Sequence, residues 1–342
     1  MAEDIAPGTV LVTGGSGYLG SWIAVGLLRR GYRVRATIRN LARQDEVRAM
    51  IASEVDPGDR LSFVAADLLK DDGWDAAAQG ADYVMHVASP MPIGEFRGHD
   101  VIRPAREGTR RVLTASAKAG VKRVVLTSSM SAATPKDKER QVSEETVWTD
   151  VPDKPAFNYA RAKTLAEQDA WAFVREEGRG MELATVLPSQ IQGPVLGSDF
   201  SASVGVIAMM LRGKMPVLPR IGFGIVDVRD LVDIHILAMT EPQAAGERFL
   251  ATGDFLWFTD IARILREKLG ARADKVPTRK LPDLVVRIGA LFNPEMAQMA
   301  PNLGIQTKAS IAKAERLLGW KPRPAAESIV DAANSLIAHG LA

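Results

Sequence analysis

The stretch VLVTGGSGYLGSWIAVGLLRRGYRVRATIRN, Val10 to Asn40, holds a β-branched run, a glycine turn, a helical pattern and a second β-branched run in close order. VLVTG reads as a buried strand, SWIAVGLLRRG as a helix closed by Gly31 just past its end, and RVRATIR as the next strand. The glycines fit two registers. Gly15, Gly17 and Gly20 spell G-x-G-x-x-G, whereas Gly14, Gly17 and Gly20 spell G-x-x-G-x-x-G. In either register, a glycine turn between strand and helix aims backbone N–H groups and the positive end of the helix at a pyrophosphate. A missing Cβ at Gly17 lets phosphates approach, and one at Gly20 lets the helix pack tightly on the sheet. The segment therefore predicts a dinucleotide site at the head of a parallel sheet.

The close of the second strand predicts which dinucleotide. A protein selective for NAD places a carboxylate roughly 20 residues past the glycines, where it accepts hydrogen bonds from the ribose 2′-hydroxyl. This chain has Ile38, Arg39 and Asn40 there, with Arg43 four residues beyond Arg39 and no acid. A guanidinium can clasp a 2′-phosphate with paired hydrogen bonds, so NADPH/NADP+ is expected over NADH.

Outward from this stretch, strand-like runs alternate with helical patterns through the first two-thirds of the 342 residues. LSFVAADL, ADYVMHVAS, RVVLTSS and MELATVLPS read as further strands, and Tyr159 to Glu177 as a long helix. Alternation of this kind makes a doubly wound α/β parallel sheet of Rossmann type. After Pro188 the pattern loosens; GIVDVRDLVDIHILAM and GERFLATG then read as strand, helix and strand, followed by amphipathic helices. The expected division is residues 1–190 plus about 225–254 for dinucleotide binding. Residues 191–224 plus 255–342 form a smaller, mainly helical C-terminal substrate lobe. A formal net charge of +2 gives no reason to expect nucleic acid or a membrane surface as partner, and no apolar run is long enough to span a bilayer. The absence of cysteine removes disulfides, thiolate nucleophiles and Cys-ligated metals. MAEDIAPG does not read as a signal peptide, and a cytoplasmic protein is the expectation. No grouping of His, Asp and Glu has metal-ligand spacing, so no metal is expected. KDKER reads as a solvated loop.

Two motifs carry chemistry. TSSMSA leaves hydroxyls at the carboxyl end of a strand, where parallel sheets place their sites. In NYARAK, Tyr159 and Lys163 are four apart and share one helix face. A free phenol has a pKa of about 10. A lysine ammonium at ~5 Å favours the phenolate by about 3 kcal/mol at an effective dielectric near 20. Tyr159 is thus the expected general acid toward a nascent alkoxide, with Lys163 tuning it and binding the cofactor ribose. A serine of TSS donates to the carbonyl oxygen. His86 and His235 read as structural.

Taken together, TGGSGYLG, Asp67–Leu68, HVASP, TSS, YARAK and LPSQIQGP resemble the extended short-chain dehydrogenase/reductase family. VRATIRN, HVASP and YARAKTLAEQDAW look most like its dihydroflavonol 4-reductase, cinnamoyl-CoA reductase and bacterial aldehyde/ketone reductase branch. The resemblance implies the T-G-x-x-G-x-x-G register, carried by Gly14, Gly17 and Gly20. It selects Ser129 over Ser128 as the catalytic hydroxyl, with Ser131 the nearest rival. It also implies cofactor contacts from Tyr18, Leu19, Asp67, Leu68, Val87, Ala88, Ser89, Pro188, Ser189 and Ser203.

Around the substrate the candidates are Met91, Ser131, Ile191, Ile207 and Phe223, most of them apolar. They fit a bulky apolar or aromatic aldehyde or ketone better than a nucleotide sugar. The expected activity is NADPH-dependent carbonyl reduction by a monomer or homodimer. The alternatives are a nucleotide-sugar epimerase or dehydratase, and a non-catalytic dinucleotide sensor. A dehydratase of the family shows a Thr-Asp-Glu set that TSSMSA lacks, and sensors lose the Tyr or Lys retained here.

Overall fold

A computed structural model describes residues 8–90, 101–154, 157–293, 296 and 300–342. Its strands are β1 (Thr9–Thr13), β2 (Arg33–Ile38), β3 (Leu61–Ala65), β4 (Tyr83–His86), β5 (Arg123–Thr127) and β6 (Val142–Ser143). They continue with β7 (Glu182–Pro188), β8 (Gln190–Gln192), β9 (Gly222–Asp227), β10 (Arg248–Ala251), β11 (Phe255–Trp257) and β12 (Lys308–Ala309). Seven of them form one sheet in the order β10-β7-β5-β4-β1-β2-β3, and each adjacent pair runs parallel. The chain winds outward from β1 to β3, then returns to β4 on the other side of β1. That reversal opens a crevice at the carboxyl ends of β1 and β4, where open α/β sheets bind ligands.

Side chains alternate across the sheet with period two. On β1, Val10 and Val12 pack into one apolar layer and Leu11 into the other. Both faces are covered, which is why Val10, Leu11 and Val12 are apolar without alternation. Helices α1 (Tyr18–Arg29), α2 (Gln44–Ala52) and α7 (Val228–Thr240) close the first layer. Helices α3 (Trp74–Ala78), α4 (Ile102–Ala119) and α5 (Asn158–Glu177) close the second. Gly31 has φ +85°, and its N–H returns to the Leu28 carbonyl, ending α1 as expected. Arg123 Nη1 donates to the carbonyls of Ala238, Met239 and Glu241, which satisfies the negative end of α7.

A second sheet, β11-β9-β8, stands beyond the carboxyl edge of the first. The strand expected in GIVDVRD is β9, and it belongs to this second sheet because it pairs with β8, which follows directly from β7. The strand in GERFLATG is β10 and does return to the main sheet. Helices α6 (Ala202–Leu211), α8 (Phe258–Leu269) and α9 (Asp283–Gly289) add to this lobe, with two more at Ala312–Leu318 and Ala325–Ala338. Finally, β6 and β12 pair in parallel, Val142 with Lys308 and Ser143 with Ala309. This short pairing draws the segment after β5 and the C-terminal segment to one place.

Candidate active site

One cavity of about 1370 Å³ runs along the carboxyl ends of the strands, from the glycine turn to the β6–β12 pair. At its first end Gly14 takes φ +71°, and Gly17 N–H donates to the Gly14 carbonyl at 3.0 Å. A methyl group at Gly20 would run into that same carbonyl, and one at Gly15 would collide with Ala36 Cβ. Gly17 is the N-cap of α1; no side chain caps this helix end and no acid lies in its first turn. Its leading N–H groups face the cavity, so the turn fits a pyrophosphate. Tyr18, Leu19, Arg39, Asp67, Leu68, Val87, Ala88, Ser89, Pro188, Ser189 and Ser203 also line the cavity. Ser189 Oγ is shut off from solvent and has no hydrogen-bond partner, as suits a wall that awaits a polar group.

Arg43 stands behind the wall, bonded to the cavity residue Asp199. Its guanidinium is closed by Glu46 at 2.7 Å and by Asp199 at 2.8 Å, and it does not line the cavity. Two carboxylates thus hold the group expected to meet a 2′-phosphate, and Arg39 alone of the two arginines lies in the wall.

The wall behind β4 is fixed by a buried imidazole. Thr13 Oγ1 accepts from Val87 and Ala88 N–H, each at 3.0 Å, and lies 2.9 Å from His86 Nδ1. With two hydrogens already directed at it, the threonine hydroxyl gives its own to Nδ1. Nε2 therefore carries the imidazole hydrogen and reaches Thr109 Oγ1 at 3.3 Å. Burial pushes His86 down to about 3, so it is a neutral strut. His235 is another: its Nδ1 donates to the Leu231 carbonyl, Thr127 Oγ1 donates to its Nε2 at 2.8 Å, and burial takes it to about 4.

Ser129, Tyr159 and Lys163 all line the cavity. Geometry separates the two serines of TSS. Ser128 Oγ turns inward and donates to Glu167 Oε2 at 2.6 Å. Ser129 Oγ accepts from Ser131 N–H, which leaves its own hydrogen for the cavity. Lys163 is buried, donates to the Thr127 carbonyl at 3.2 Å and is lowered by burial to about 8, with Glu167 acting in the opposite direction. Tyr159 departs from the sequence expectation. Burial raises its phenol, and the Ser129 hydroxyl offsets only part of that rise. In this state the proton stays on the phenol.

Beneath these groups lies an ion pair that the sequence reading missed. Glu167 Oε1 accepts from Arg248 Nε and from Thr185 Oγ1, both at 2.8 Å. Arg248 also donates to the carbonyls of Glu145, Val147 and Ala132, and its guanidinium stacks 3.7 Å from the Trp148 ring centre. The pair ties α5 to β7, to β10 and to the segment after Ser129.

At the other end of the cavity, Ser131, Ile191 and Phe223 are present as expected. Ile207 is not. It is fully buried in the core, because α6 is apolar nearly all round and turns that residue inward. Met91 lies outside the described residues. Sequence reading also missed Lys138, Phe255, Asn302, Thr307 and Lys308 in this wall. Lys138 comes from KDKER, and its Nζ donates to the Pro301 carbonyl at 2.5 Å and to Asn302 Oδ1 at 2.6 Å. Among the described residues, no group of three or more His, Asp or Glu side chains could hold a metal ion. No described helix is long and apolar enough to cross a membrane.

Comparison with known proteins gives the following likenesses. A sequence model for the NAD dependent epimerase/dehydratase family matches residues 10–251. Cinnamoyl-CoA reductase 1 of Oryza sativa subsp. japonica is 38% identical over 262 residues, which cover 75% of each chain. Dihydroflavonol 4-reductase of Zea mays is 33% identical over 273 residues, covering 76% of this chain and 74% of that protein. Among solved structures, yeast methylglyoxal/isovaleraldehyde reductase Gre2 complexed with NADPH superposes with a TM-score of 0.79 at 24% identity. That match covers 98% of this chain and all of the other.

Proposed function

The chain belongs to the NAD-dependent epimerase/dehydratase family, and from that premise we propose that it is an NADPH-dependent reductase. It converts an aldehyde or ketone with an apolar or aromatic body into the alcohol. The observation that carries this reading is the sorting of hydroxyls in the cavity: Ser128 is withdrawn to Glu167, while Ser129 and Tyr159 face the space beside Lys163. The reductase relatives support the same reading.

The glycine turn would hold the pyrophosphate on the N–H groups of α1, Arg39 would hold the 2′-phosphate, and Ser189 Oγ would bond a polar group of the nicotinamide half. A bound reduced nicotinamide supplies the hydride. Tyr159, its proton retained by burial, gives that proton to the carbonyl oxygen as the oxygen gains charge. Ser129 donates a hydrogen bond to the same oxygen and fixes its position. Lys163, an ammonium at neutral pH, holds the ribose and stabilises the phenolate that the transfer leaves behind. Ile191, Phe223 and Phe255 form the apolar wall against which the body of the substrate lies.

The test is a panel of aryl ketones, keto esters and aldehydes assayed by NADPH consumption with the wild type and Tyr159→Phe. The variant is expected to lose turnover by a factor of about 10² to 10⁴ while NADPH affinity stays unchanged. Retained turnover would mean that another group supplies the proton.

A further inference from the structure

The charges in the cavity wall are unevenly placed. The acids Asp67 and Asp199 belong to the glycine-turn end, Asp67 following β3 and Asp199 holding Arg43. Beyond Ser129 and Tyr159, the charged residues of the described wall are Lys138 and Lys308, both cations. Lys308 is exposed on β12 at the rim, whereas Lys138 is half-buried within the wall.

Lys138 is held in an unusual way for a partly buried ammonium. Its two hydrogen-bond acceptors, the Pro301 carbonyl and Asn302 Oδ1, are neutral, and among the described residues it forms no ion pair. Glu139, next in sequence, is exposed and favours the charged form only through space. The neighbouring lysine and arginine are paired differently: Lys136 meets Asp150, and Arg140 meets Asp137. An ammonium carries three donors, so one N–H of Lys138 remains after these two bonds. Because an ammonium cannot accept, Asn302 must present its oxygen to Lys138, which leaves the Asn302 amide nitrogen as a second donor at the same place. Two donors and a net positive charge, with partial desolvation and no counter-charge bonded among the described residues, match the two oxygens of a carboxylate.

We propose that Lys138, with Asn302, is a specificity-determining site for a carboxylate on the substrate, so that the carbonyl compound reduced here is an oxo acid. The substrate then spans the cavity with its carbonyl at Ser129 and Tyr159, its apolar part against Phe223 and Phe255, and its anionic end at Lys138. Lys308 at the rim raises the local potential that draws such an anion in. This inference rests on the carbonyl-reductase reading and adds the substrate's charge to it.

The experiment compares an aryl or alkyl oxo acid with its methyl ester, matched in carbonyl and body, using the full chain with NADPH. A phosphate monoester of comparable length forms a third arm. Wild type is expected to show kcat/KM at least about tenfold higher for the acid than for the ester, as suits a charge-assisted hydrogen bond. Lys138→Met should raise KM for the acid by about 10- to 100-fold and leave ester turnover and NADPH affinity unchanged. Lys138→Arg should retain the preference for the acid. Equal or better use of the ester by wild type overturns the proposal without recourse to any variant. Equal loss of acid and ester in Lys138→Met also overturns it, showing that the lysine only braces Pro301 and Asn302. Preference for the phosphate monoester over the acid rejects the carboxylate. Failure of the underlying reductase reading looks different: no member of any arm would consume NADPH.

Discussion

Glu167 and Arg248 meet at 2.8 Å with side-chain exposures of 0% and 8%, one helical turn past Lys163 on the same face of α5. Removing one partner of such a pair leaves a buried charge uncompensated, at a cost of about 3–5 kcal/mol. Glu167→Gln and Arg248→Met should each lower unfolding stability by that amount in urea titrations. The double variant should cost clearly less than the sum of the two. Additive losses would show that the two side chains act independently.

Arg39 is the arginine in the cavity wall at the end of β2. Hydrogen bonds to a charged partner contribute about 1.5–3 kcal/mol, so Arg39→Ser should weaken NADPH binding by about 10- to 100-fold. NADH, which lacks the 2′-phosphate, should be affected little. Isothermal titration with both dinucleotides reads the ratio, and an equal loss for the two would remove Arg39 from phosphate recognition.

Gly20 has no room for a side chain, since a Cβ there is driven into the Gly14 carbonyl, which the turn holds in place. Backbone cannot yield as a flexible side chain can. Gly20→Ala should therefore separate α1 from the turn, abolish measurable NADPH binding and lower the melting temperature. Gly120→Ala is the control for adding a methyl, because nothing lies within 4 Å of a Cβ at that position. Its left-handed φ of +73° should make that change costly to stability but silent toward NADPH.

His86 and His235 make stability depend on pH. Burial holds them neutral, with values of about 3 and about 4, whereas the unfolded chain takes up each proton near 6.5. Between those values the unfolded state binds more protons than the native state. Their contribution is complete above about pH 6.5 and is lost as pH falls toward 4. Near pH 5 the two together give a slope of about 2.7 kcal/mol per pH unit. Urea unfolding at pH 7, 6 and 5 checks this, and a flat profile would contradict buried neutral imidazoles.

The sheet and the glycine turn were readable because their signals are local. Strand, turn, helix and strand follow one another within Val10–Asn40, and Tyr159 and Lys163 lie on one turn of one helix. What escaped depends on partners far along the chain. Glu167 stands four residues past Lys163 in plain view, but Arg248 lies 81 residues from it, and no periodicity points there. Lys138 looked like part of a solvated charge run because Asn302, 164 residues away, is what draws it into the wall. Ile207 was misplaced for the opposite reason: a helix apolar nearly all round does not reveal which face meets a cavity and which meets the core. The partners of Arg43 were half legible: Glu46 is three residues away, but Asp199 comes from a loop whose position no local pattern gives.

The β6–β12 pairing links two stretches that descend from opposite halves of the gene. Because it builds the far wall from both, a crossover between relatives anywhere from residue 150 to 300 would join a front half and a tail that were never selected together. The glycine turn and the wall from Arg39 to Ser89 lie ahead of every such crossover and would stay together. Substrate preference is therefore expected to move between relatives only when residues 138–143 and 302–309 are exchanged together.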